Sequence, residues 1–164
     1  MKPSSVKSFS RDHSKIEGGT VTIYDQYVSG NCIIKKADIR FRTPNTDYIS
    51  PEASHTVEHL LADSLYKITS GSEEDAVLDL SPMGCLTGFY CTFMTGGRME
   101  KEDFWPPLME EALKYADIPG AHPDSCGNYK FHDLPAAKAA LAEFLSDFNK
   151  RPPGTRVLAL TGSC

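Results

Sequence analysis

The chain has 164 residues, 17 Lys and Arg against 22 Asp and Glu, a formal net charge of −5 and 40% hydrophobic residues. That length fits one domain, large enough to bury a core without disulfides or a structural metal, and the mixed composition excludes a fibrous or wholly disordered chain. The acidic balance argues against nucleic acid as a partner, because binding phosphates depends on cations that release counterions. No run approaches the roughly 20 apolar residues of a membrane span, so no membrane partner is expected either.

Residues 1–19 read as an irregular polar arm without the apolar stretch of a secretory signal. Residues 20–28 alternate apolar and polar and predict a strand. The Ser29-Gly30-Asn31 turn and a second strand over 32–43 make 20–43 a hairpin, closed by Pro44-Asn45. Ser50 as N-cap and Pro51 at the first helical position open a helix to about Ile68, with Val57, Leu60, Leu61, Leu65 and Ile68 as its apolar stripe. Short strands are expected over 76–80 and 88–94, around a turn at Pro82 and Gly84. A helix lies within 101–116, its regular part starting at Pro106-Pro107 or later. A Pro- and Gly-rich loop over 119–128 leads to an amphipathic helix over 134–149. Residues 151–164 are a tail that fits either an extra strand or a loose end. Strands joined by short turns with helices interspersed imply an α+β domain with an antiparallel sheet packed against helices, spanning residues 1–164 as one unit.

The strongest chemical signal is His55-Thr56-Val57-Glu58-His59. Histidines four apart share one helix face and suit a single metal ion. At about 100° per residue, the apolar stripe centres opposite them, so neither is a core residue. A histidine pair on a surface face without a task fits the same pattern. The five cysteines, at 32, 85, 91, 126 and 164, form no C-x-x-C pair and read as reduced thiols of a cytoplasmic protein. Cys126, beside Gly127 in the loop, is a candidate third ligand, since thiolate suits zinc or ferrous iron. Cys85, in the turn Ser81-Pro82-Met83-Gly84-Cys85, is a candidate acid or base if a cation lowers its pKa, or else a buried small side chain. Asp79, between Leu78 and Leu80, needs a cation or a hydroxyl as partner. Arg40 suits a carboxylate clamp or a solvated strand edge. Ser8 and His13 are individually uninformative.

Together these residues resemble the LuxS family of S-ribosylhomocysteine lyases. The resemblance is carried by Ser8-Phe9, Asp12-His13, Asp38-Ile39-Arg40-Phe41, Pro44-Asn45, His55-Thr56-Val57-Glu58-His59-Leu60-Leu61-Ala62, Asp79 to Cys85, Thr87-Gly88-Phe89-Tyr90 and Cys126-Gly127, in the family's order from about residue 8 to about residue 148. It implies a cytoplasmic homodimer with active sites at the subunit interface. Its reaction cleaves S-ribosyl-L-homocysteine to L-homocysteine and 4,5-dihydroxy-2,3-pentanedione, the precursor of autoinducer-2. The resemblance further implies one divalent metal per chain, Fe2+ with Zn2+ as the ion often found on isolation, held by His55, His59 and Cys126. Glu58 and Cys85 would move protons. Ser8, His13, Arg40 and Asp79 would contact substrate, the arm and Arg40 reaching into the partner's site.

Arg42 stands where the family usually has Cys, and strand alternation is expected to turn it away from the chemistry. Pro106-Pro107 falls within a family helix and is expected to delay or bend it. Two other readings compete. A small His-x-x-Glu-His metallohydrolase or peptidase would make Cys85 and Cys126 dispensable. A non-enzymatic closed metal site would need a fourth protein ligand.

Overall fold

The computed structural model describes residue 9, residues 11–30 and residues 32–159. Ser8, the first expected substrate contact, lies outside them. The hairpin forms from β1 (Thr20–Ser29) and β2 (Cys32–Arg40), paired antiparallel with Thr22 opposite Asp38. β2 stops at Arg40 rather than running to residue 43. The N–H groups of Phe41 and Arg42 both turn to the Thr87 carbonyl, at 2.9 Å each, and leave the ladder.

α1 (Pro51–Thr69) begins where Ser50 Oγ accepts the Ala53 N–H and ends beyond Thr69, where the Ser70 N–H bonds the Tyr66 carbonyl. β3 (Ala76–Pro82) and β4 (Gly88–Met94) follow, antiparallel to each other, and β4 lies antiparallel against β2. α2 (Trp105–Leu113) starts one residue ahead of Pro106-Pro107. Its prolines sit in the first turn, where N–H groups have no intrahelical partner to lose, so they cap the helix instead of bending it. α3 (Leu134–Lys150) is capped by Asp133, whose carboxylate accepts the Ala136 N–H at 2.9 Å.

The described part of the tail, residues 151–159, contains a strand. β5 (Val157–Ala159) adds to the edge of the sheet, giving the order β3-β4-β2-β1-β5. It runs parallel to β1, so the antiparallel expectation holds for four strands and fails for the fifth. Arg151 is the physical reason. Its guanidinium donates to the carbonyls of Gly18 and Gly19 and pairs with Glu17, which pins the entry to β5 beside the entry to β1. Two strands entering at one end must run the same way.

The two sheet faces differ. Val21, Ile23, Ala37, Ile39, Phe89, Cys91 and Phe93 point to one face and are buried with Val57, Leu60, Leu61 and Leu65 of α1, with Trp105 and Leu108 of α2, and with Leu141, Phe144 and Phe148 of α3. Each such aliphatic or aromatic side chain contributes about 1.5–3 kcal/mol by leaving water. The other face carries Thr22, Asp38 and Arg40, all buried although polar. A register shift between Val77 and Asp79 lets Val77 pack on the core while Leu78 is exposed. Asp79 is therefore exposed and not enclosed by apolar neighbours; its partner is the Ser81 hydroxyl at 3.1 Å.

Candidate metal centre and thiol site

α1 projects His55 and His59 from the face opposite its buried stripe. Each ring is fixed by a backbone carbonyl, Phe131 for His55 Nδ1 at 2.8 Å and Pro119 for His59 Nδ1 at 2.7 Å. A carbonyl only accepts, so both Nδ1 atoms carry the proton and both Nε2 atoms of the neutral rings present lone pairs. Gly120, with φ +69°, allows the turn that follows the Pro119 carbonyl, a conformation that disfavours a side chain.

The two Nε2 atoms stand 3.2 Å apart, and Cys126 Sγ lies 3.4 Å from His55 Nε2. The Asn128 N–H donates to this sulfur at 3.4 Å. The expected ligand trio is thus brought together by one helix and one loop. A fourth member, His132, was not expected from the sequence. Its Nε2 lies 3.9 Å from Cys126 Sγ, and the ligand atoms of His55, His59, Cys126 and His132 all fall within 4.8 Å of one another.

Thr56 orients His132. The Thr56 hydroxyl donates to the Glu52 carbonyl at 2.8 Å and accepts the Asp133 N–H at 2.9 Å. Its only proton is used, so the 3.2 Å contact has His132 Nδ1–H donating and His132 Nε2 left with its lone pair. Burial first, then the neighbouring His55 and His59, push the His132 pKa down to about 4. The available signal was position: a histidine six residues after Cys126 and directly before a helix cap. Glu58 is half-buried on α1, one residue from His59.

The second cluster surrounds Cys85 in the β3–β4 turn, closed by Met83 N–H to the Gly88 carbonyl at 2.9 Å. The Ile49 N–H donates to the Leu86 carbonyl at 2.8 Å, which ties this turn to the entrance of α1. Thr87 Oγ1 lies 3.0 Å from Cys85 Sγ and accepts from Arg40 Nη1 at 2.5 Å. The hydroxyl proton is then free for the sulfur. Arg40 Nη1 is itself 4.0 Å from Cys85 Sγ. Burial pushes the Cys85 thiol up, but the hydrogen bonds from Thr87 and the Arg40 charge outweigh it, so the thiol sits below its ordinary value.

Arg40 is 2% exposed and holds Asp38 in a two-point pair at 3.0 and 2.5 Å. Its Nε, one Nη1 and one Nη2 N–H go to acceptors of its own chain. Arg42 instead pairs with Asp47 at 3.1 Å and with Glu143 of α3 at 2.7 Å. The end of β2 at Arg40, not strand alternation, sends it to the helical side. His13 opens a short 3-10 turn, His13–Lys15, and its Nδ1–H donates to the Arg11 carbonyl at 2.9 Å. Cys91 is buried in the core, where desolvation lifts its thiol to about 12. Cys32, like Cys91, takes no part in either cluster.

Comparison with known proteins agrees with the residues. The chain is 40% identical over 136 residues to the S-ribosylhomocysteine lyases of two Thermus thermophilus strains, covering 82% of this chain and 84% of each relative. The family described as S-Ribosylhomocysteinase (LuxS) matches residues 6–153, and with the histidine pair, Cys126 and Cys85 all inside that span, the chain belongs to the LuxS family of carbon–sulfur lyases.

Proposed function

We propose that this chain cleaves the thioether of S-ribosyl-L-homocysteine, releasing L-homocysteine and 4,5-dihydroxy-2,3-pentanedione. The observation that carries the reading is the convergence of His55, His59 and Cys126 in a chain whose family match runs from residue 6 to residue 153. Two imidazole nitrogens and a thiolate suit ferrous iron or zinc, and the reading favours Fe2+ as the working metal. Its contribution when bound is Lewis acidity toward a sugar oxygen.

The chemistry left to the protein is proton movement. The thioether carbon of the sugar is not activated, so the carbonyl must first migrate along the ribose. Each enolisation takes a proton from one carbon and returns one to its neighbour. When the carbonyl stands β to sulfur, loss of the intervening C–H proton breaks the C–S bond and homocysteine leaves as a thiolate that is then protonated. Cys85, held toward its thiolate by Thr87 and Arg40, is the base on one side of the sugar. Glu58, beside His59, serves the other side. Asp79 and Ser81 offer a carboxylate and a hydroxyl on the exposed sheet face for sugar hydroxyls, and His13 with Ser8 would add contacts from the arm. Arg40 serves the thiol first and the substrate through its remaining donor.

The reading includes a homodimer with sites at the interface, in the cytoplasm, where these thiols stay reduced. The metallohydrolase is disfavoured because the four grouped ligand atoms include a thiolate and no carboxylate. The test is thiol release from S-ribosylhomocysteine by anaerobic, iron-loaded protein, with protein thiols subtracted. Steady release by the wild type and near-loss in Cys85→Ala is the expected result. No release from protein holding one metal per chain would overturn it.

A further inference from the structure

Four protein ligands close a metal into a structural site, whereas Lewis acidity toward a sugar oxygen needs a position that opens. His55, His59, Cys126 and His132 together form such a closed set, and the group contains no carboxylate. His132 is the member whose geometry differs.

Imidazole nitrogens at about 2.0–2.1 Å and a thiolate at about 2.3 Å from one tetrahedral ion stand about 3.3 Å apart for nitrogen pairs and about 3.6 Å for nitrogen and sulfur. His55 Nε2 is close to both values, at 3.2 Å from His59 Nε2 and 3.4 Å from Cys126 Sγ. His132 Nε2 lies 3.9 Å from the same sulfur, inside the group but looser. The tethers differ in the same sense. Backbone carbonyls hold His55 and His59 at 2.8 and 2.7 Å, while His132 Nδ1 rests on the Thr56 hydroxyl at 3.2 Å.

His132 nevertheless stays aimed at the group. Its ring stacks on His55, with 4.0 Å between centres and 21° between planes, and the Thr56 contact fixes the tautomer that leaves Nε2 its lone pair. The backbone beside it is anchored, since the Asp133 N–H bonds Thr56 and the Asp133 carboxylate caps α3. Releasing His132 therefore takes a side-chain rotation and no opening of the loop. We propose that His132 is an exchangeable fourth ligand, whose Nε2 fills the remaining metal position at rest and yields it to an incoming oxygen or nitrogen donor. That the natural donor is a sugar oxygen rests on the lyase reading.

The test reads the ligands directly. Full-length protein is loaded with Co2+, and its absorption is followed while azide is added, for wild type and His132→Ala. The wild type should show three nitrogens and one sulfur at rest, and azide should convert it to a second form. In His132→Ala the d–d bands should move to longer wavelength as water oxygen replaces a nitrogen, while the sulfur-to-cobalt band persists. Azide should bind that variant at least about tenfold more tightly, which corresponds to His132 holding the ion in nine-tenths or more of the molecules. His132→Gln, whose amide still donates to Thr56, should lose the same nitrogen and keeps the test available where the Ala variant does not fold, as a melt of each protein checks. Equal spectra and equal azide affinities in wild type and a folded variant would overturn the proposal. So would a wild type that ignores azide at about a hundredfold the variant's Kd, because His132 would then be a permanent ligand. No substrate is used, so a failed titration leaves the lyase reading standing, whereas absent thiol release fails that reading alone.

Discussion

His55 and His59 point their Nε2 atoms at each other across 3.2 Å while both Nδ1 protons are given to backbone carbonyls. Two neutral rings so held cannot donate to each other, and their Nε2 lone pairs converge where a cation would sit. A metal that binds only the folded chain stabilises it by mass action, about 4 kcal/mol at a thousandfold excess over Kd. For a chain of this size that corresponds to a melting shift on the order of 10 °C. Calorimetry of metal-loaded and chelated protein should show a shift of that order. Equal melting temperatures, with one metal per chain proven by elemental analysis, would mean that the histidine pair does not hold it.

His132 differs from the other three in how it is held, through a hydroxyl rather than a carbonyl. Replacing His55, His59 or Cys126 by Ala should lower metal affinity more than 100-fold. His132→Gln should lower it by about 10–100-fold, as for groups that support a metal site. Competition against a chromophoric chelator measures both. A loss for His132→Gln as deep as for His59→Ala would make His132 a full fourth ligand and would favour the closed-site reading over an open catalytic one.

Much of the scaffold was legible because its signals are local. Ser50-Pro51 announces the start of α1, and the apolar stripe from Val57 to Leu65 fixes which face is buried, hence which face presents His55 and His59. Cys126 and Cys85 were legible through a family pattern and not through spacing, since 71 residues separate Cys126 from His55. What escaped is non-local. The direction of β5 depends on Arg151 reaching back 133 residues to Gly18. The exposure of Asp79 depends on a register shift at Leu78, and Arg11 meets Asp38 across 27 residues. His132 was within reach of a closer reading of Cys126 to Asp133, but nothing in the sequence sets its ring against Thr56.

Thr87 passes the Arg40 charge to Cys85 and adds a donor of its own. Thr87→Val keeps the shape and removes the hydroxyl, so the sulfur loses its hydrogen bond while its burial remains. The thiol then moves up toward its ordinary value of about 8.5. A base that must be ionised loses activity as pH falls through its pKa, so the acid limb of the kcat/KM profile should shift to higher pH, with about a tenfold loss near neutrality. A limb at the wild-type position would remove Cys85 from the ionisation that the profile reports.

Gly88 faces Arg40 across the β2–β4 ladder, and a Cβ built there would lie 2.2 Å from the Ile39 carbonyl oxygen. Backbone cannot yield as a flexible side chain can. Gly88→Ala should therefore push β4 off β2 and cost about 2–4 kcal/mol in denaturant unfolding. Because the same step carries Arg40 and Thr87, Cys85 alkylation at neutral pH should slow in parallel. A variant as stable as wild type would show that the two strands are not so closely apposed.

Glu102 holds the edge strand. Its carboxylate accepts the N–H groups of Gly154, Arg156 and Val157, which carries the chain into β5. Burial raises its pKa, but these three donors and the Arg156 charge outweigh that and hold it below its ordinary value. A carboxylate depressed in the folded state contributes stability that is full above its unfolded pKa of about 4.3 and is lost as pH falls through the folded value. Amide exchange at Val157–Ala159 should therefore quicken on acidification through that window, after correction for intrinsic rates. In Glu102→Gln, which keeps the oxygen acceptor but not the charge, exchange should already be faster at neutral pH and should lose its acid dependence. Unchanged protection in the variant would mean that pairing with β1 alone holds β5 in place.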